Sequence, residues 1–98
     1  MHQHIINASL QLIPLVRDNH PYTWIDEVIM IIQQSGIKHE VGPFATTLEG
    51  TYDAVFKVIH EVNDYLEKNK CTEWIMNVQV QVRSDTDITA SEKVQKFR

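Results

Sequence analysis

From Trp74 to Arg83 apolar residues return at every second position: Trp74, Met76, Val78, Val80 and Val82 alternate with Ile75, Asn77, Gln79, Gln81 and Arg83. Only an extended strand sends alternate side chains to opposite faces, so this stretch requires a sheet with one apolar and one polar side. The same period recurs between Ile5 and Leu15, where Ile6, Ala8, Leu10 and Leu12 share one parity and Asn7, Ser9 and Gln11 the other. The chain between these runs supplies cover for the apolar side. Ile25, Val28, Ile29 and Ile32 fall on one helical stripe, and Tyr52, Val55, Phe56, Ile59, Val62 and Leu66 on a second.

Local signals divide the rest. Asp18, Asn19 and Pro21 mark a loop from Arg17 to Tyr22. Thr23 reads as the N-cap of the first helix, with Asp26 completing an approximate capping box and Gly36 at the C′ position. Lys38 to Val41 reads as a short second strand, Gly42-Pro43 as punctuation and Phe44 to Glu49 as a third strand, with Gly50 turning into the second helix. Glu73 to Arg83 is the fourth strand, and Ser91 caps a last short helix ending near Phe97. The order β-α-β-β-α-β predicts one α+β domain over residues 1–98, a ferredoxin-like sandwich with a short C-terminal helix. Right-handed crossovers put the first and third strands in the centre, with the fourth beside the first.

A chain of 98 residues stands near the size at which a single core suffices, which favours self-association. Ile13 and Ile75, on the open side of the sheet, favour it too. A net charge of −4 argues against a nucleic-acid partner. Cys71 is the one cysteine, so no intrachain disulfide forms, and a reducing cytoplasm is the expected location. The first residues lack a signal-peptide pattern, and no apolar run reaches the length of a membrane span.

Several reactive constellations fail on inspection. His60-Glu61-Val62-Asn63-Asp64 places an aspartate where a zinc-protease helix needs its second histidine. The other histidines and Cys71 lack metal-ligand spacing, and His2 and His4 fall on a terminus expected to be loose. The three glycines build neither a dinucleotide fingerprint nor a phosphate loop. No metal, cofactor or catalytic residue is expected. The open face collects Asn7, Ser9 and Gln11, then Thr47 and Glu49, then Asn77, Gln79, Gln81 and Arg83. Amides and hydroxyls in that pattern suit first a solvated face or a wet subunit interface, and after these the floor of a site for a polar heterocycle.

The segment Glu40-Val41-Gly42-Pro43-Phe44-Ala45-Thr46-Thr47-Leu48-Glu49-Gly50 resembles the small thiamine-binding protein family, whose Gly-Pro-x-x-Thr-x-x-Glu-Gly signature matches at Gly42, Pro43, Thr46, Glu49 and Gly50. Ile13-Pro14-Leu15 and the tail from Ser91 to Arg98 are similar to the family's first strand and closing segment. The resemblance implies a ferredoxin-like fold, dimers or tetramers built through the sheets, and non-catalytic binding of thiamine or its hydroxymethylpyrimidine moiety, with salvage or transport as the setting. The ligand residues it points to are Glu49, Thr46, Thr47, Ser9 and Asn77, with Phe44 or Tyr52 as apolar cover. Glu49 has a structural alternative, support of the helix that follows it. A structural or regulatory oligomerisation module without thiamine is the competing function.

Overall fold

The computed structural model describes residues 3–16 and 21–97. Four strands, β1 (Ile5–Pro14), β2 (Lys38–Val41), β3 (Thr46–Thr51) and β4 (Trp74–Gln81), form one antiparallel sheet in the order β2-β3-β1-β4. Helices α1 (Pro21–Ser35) and α2 (Tyr52–Lys68) cover one side. A short helix α3 (Ala90–Val94) follows β4 and runs into a 3-10 turn at Gln95–Phe97. The α+β class and the central pair β1 and β3 agree with the sequence reading, and the strand order is compatible with a ferredoxin-like sandwich.

The alternating residues sort as the period requires. Ile6, Ala8, Leu10 and Leu12 of β1 are buried with Leu48 against Trp24, Val28 and Ile32 of α1 and Val55, Val58, Val62 and Leu66 of α2. Complete burial of a side chain such as Ile6 or Leu66 stabilises by about 1.5–3 kcal/mol. On β4 the apolar parity is only half-buried, because β4 is an edge strand. Trp74 packs against the core there, and its indole Nε1 donates to Asn63 Oδ1 at 2.9 Å.

Element boundaries differ from the sequence reading for identifiable reasons. Helix α1 starts at Pro21, so Thr23 lies inside its first turn. Proline suits that first position because its missing N–H has no intrahelical partner to lose. Residues 17–20 of the expected loop lie outside the described residues. Gly36 closes the helix at φ 78°, as a C′ glycine does. Strand β3 begins at Thr46 and not at Phe44, because the Gly42 N–H donates to Ala45 O at 2.9 Å and holds residues 42–45 in a tight turn. A side chain at Gly42 would stand 2.8 Å from that carbonyl. Gly50 is a strand residue paired with Ile6, and its role is steric: a Cβ there would meet Ile37 Cδ1 at 3.2 Å. Thr51 caps α2, and Thr89, not Ser91, caps α3 through a full capping box with Glu92.

Candidate functional site

Cross-strand pairing turns the open face into rows, since directly opposed residues share a face. One row runs Lys38, Glu49, Asn7, Gln81, and the next Glu40, Thr47, Ser9, Gln79. Gln11 and Asn77 form a third row, where Asn77 Nδ2 donates to Gln11 Oε1 at 3.1 Å. Ile13 opposes Ile75 in the fourth. The face therefore grades from charged to amide-rich to apolar. Lys38 and Glu40 were absent from the sequence-derived set, although the parity of β2 places them there.

Helix α3 lies against the charged end of this face. The Ile88 N–H donates to Ile5 O at 3.0 Å, the Ile5 N–H to Asp87 Oδ1 at 2.7 Å, and Ile88 itself is buried. His4 Nδ1 lies 3.4 Å from Asp87 Oδ1, so His4 is tied down, contrary to the loose terminus expected, while His2 lies outside the described residues. Glu49 joins sheet to helix. Its Oε1 accepts from the Ala90 N–H at 2.7 Å, and its Oε2 pairs with Lys38 Nζ at 2.9 Å. Desolvation pushes the Glu49 carboxyl upward, but the Ala90 N–H, Lys38 and the more distant Lys93 outweigh it and hold the group below its ordinary 4.5. The helix that Glu49 supports is α3, not α2, the helix that follows it in sequence. Arg83 lies 3.7 Å from Glu92 Oε2 and donates to Asp87 O at 3.1 Å, so it braces the same segment and does not pair with Glu49.

Between the sheet and α3 lies a hollow of about 640 Å³, bordered by Asn7, Ser9, Thr47, Gln79, Gln81 and Lys93 among others. Small-molecule sites span roughly 300–1,000 Å³. An adjoining hollow of about 450 Å³ is bordered by Ser9, Gln11, Phe44, Asn77 and Gln79. Ser9, Thr47, Asn77 and Phe44 are thus brought onto one surface, with Ser9 shared by both hollows. Thr46 is not among them. It opposes Leu10 on the helix-covered side and is 6% exposed, which corrects its grouping with the open face. Tyr52 also lies away from it, its ring 4.5 Å from that of Phe56 on α2. Asn7, Gln79, Gln81 and Lys93 border the hollow and are missing from the expected ligand set. The strand parity gave Asn7, Gln79 and Gln81, whereas nothing in the sequence placed Lys93 over the sheet.

Burial pushes the Cys71 thiol up from its ordinary range, which leaves it protonated at neutral pH. Among the described residues no group of three or more His, Cys, Asp or Glu stands together to hold a metal ion, and no helix is long and apolar enough to cross a membrane.

The profile of the family described as thiamine-binding protein matches residues 8–98. A UPF0045 protein from Clostridium perfringens is 34% identical over 92 residues, 94% of this chain and 96% of that protein. Among solved structures, a domain of unknown function from Bacillus cereus superposes with a TM-score of 0.91 at 30% identity, covering 98% of this chain and 92% of that one. A proposed thiamine biosynthesis/salvage protein from Thermotoga maritima gives 0.86 at 31% identity over 96% and 99%. None of these names states a catalytic activity. With a match over nearly the whole length, the chain belongs to the thiamine-binding protein family.

Proposed function

We propose that this chain binds thiamine or its hydroxymethylpyrimidine moiety without catalysing a reaction, in the hollow between the sheet and α3, and that the domain is ferredoxin-like. The observation that carries this reading is the polar floor of that hollow, where Asn7, Ser9, Thr47, Gln79 and Gln81 converge in a chain of this family. An aminopyrimidine edge presents donors and acceptors side by side, which amides and hydroxyls match in both senses. Ser9 and Thr47 are the direct contacts expected among the sequence-derived residues, with Asn77 and Phe44 extending the surface toward the adjoining hollow. Glu49 acts on the ligand through α3, since both of its oxygens are engaged. A cytoplasmic salvage or transport role fits binding without chemistry.

Self-association belongs to the same proposal. The Ile13–Ile75 pair is exposed on the sheet at the end away from α3, at 37% and 46%, and suits a dimer or tetramer interface. A module serving only to assemble, with the polar face taken up by subunit contacts, is the competing reading. Amide resonances test the choice. On addition of thiamine or hydroxymethylpyrimidine, those of Ser9, Thr47, Gln79 and Lys93 should move while those of Gln34 and Lys57, between α1 and α2, stay fixed. Shifts confined to the Ile13 and Ile75 surface, or none at millimolar ligand, would favour the assembly module.

A further inference from the structure

We propose that Asn7 supplies the hydrogen-bond acceptor that selects a ring amino group on the ligand; this rests on the reading that the hollow takes an aminopyrimidine. Asn7 sits in the middle of the sheet between Glu49 and Gln81 and is 4% exposed. Its Nδ2 donates to Ile88 O at 2.5 Å. A carbonyl only accepts, so this bond fixes which end of the amide is the NH2 and leaves Oδ1 as the other. That Oδ1 is buried and has no hydrogen-bond partner among the described residues. Buried acceptors without donors are rare and costly in native proteins, and one bordering a hollow is a candidate for pairing with whatever enters it.

The second buried polar atom of this kind, Trp24 Nε1, lies on α1 and does not border the hollow. The bond to Ile88 O accounts for the NH2 end of the Asn7 amide and leaves the Oδ1 end without a structural role. The orphan atom accepts and cannot donate, so it discriminates in favour of ligands that bring an N–H or O–H donor to it. The amino group of an aminopyrimidine does so, whereas the thiazolium ring carries no such hydrogen. Oδ1 has almost no solvent exposure, so the ligand reaches it by a small shift of the Asn7 side chain toward the hollow that this residue borders. Ile5, Glu49 and Arg83 each bond the segment that carries Asp87, Ile88 and Ala90, so the cover over Asn7 stays in place.

Calorimetry on the full chain tests this with two ligands, hydroxymethylpyrimidine and its analogue carrying hydrogen in place of the ring amino group. The wild type should prefer the amino compound by about tenfold or more, the scale of one satisfied hydrogen bond in a buried site. Asn7→Ala should abolish that preference while changing the analogue's affinity little. Should Asn7→Ala fail to fold, Asn7→Leu, which keeps the side-chain shape but carries no acceptor, is read in the same way. Equal affinity of the wild type for both compounds, or a preference that survives the substitution, would overturn the assignment of Asn7. No binding of either compound, nor of thiamine in the same experiment, would overturn the binding reading itself, and this one with it.

Discussion

Glu49 shows how far a single residue can be followed from sequence. Strand parity gave its face, and the register with Asn7 bears that out. Its main partner was out of reach, because the Ala90 N–H lies 41 positions away on a helix whose position no local pattern encodes. Glu49→Gln keeps an acceptor for Ala90 but removes the charge opposite Lys38. We expect a loss of about 1 kcal/mol in urea denaturation at neutral pH, the upper end for an ion pair with one exposed partner. The pH dependence has a definite sign. The folded-state pKa is lowered from 4.5, so the stabilisation is fully present above that value and is lost as pH falls through the lower folded one. The gap between wild type and Glu49→Gln should therefore close in denaturation series taken from about pH 6 down to about pH 3. A gap that stays constant, or widens with acid, contradicts the ion-paired role.

At the scale of elements, α1, α2, β1 and β4 were legible from long periodic apolar patterns, and the short β2 and β3 from the glycine and proline punctuation around them. The ends were less so. Phe44 fell inside a turn because a backbone bond between Gly42 and Ala45, invisible to side-chain patterning, closes that turn. Helix α3 was expected, but its cap was misplaced by two residues, since Thr89 and Ser91 are both competent caps and Glu92 stands at N3 only for Thr89. Thr89→Ala should cost about 1 kcal/mol locally. In hydrogen exchange, amide protection in α3 should fall about fivefold while that in α2 is unchanged. An equal loss in α2 would mean that α3 does not open separately from the core.

For the molecule as a whole, the sequence specified a two-layer sandwich but not what lies on its second face. The tail is polar and short, and Ile88 is its one deeply buried apolar anchor. The cover over Asn7 and Glu49 is therefore a tertiary feature, assembled from contacts far apart in the chain. The uncovered end of the same face carries the other whole-molecule expectation. Sedimentation at micromolar concentration should show a dimer or tetramer, and Ile75→Asp should shift it toward monomer. A wild-type chain that is a stable monomer there contradicts sheet-face assembly.

The central claim is ligand binding, and isothermal calorimetry of the purified chain with thiamine and with hydroxymethylpyrimidine measures it directly. The account predicts saturable heat for at least one of them at one ligand per chain, weakened when Thr47, which lines the hollow, is replaced by valine. No heat from either compound at millimolar concentration, with no accompanying rise in melting temperature, would contradict it.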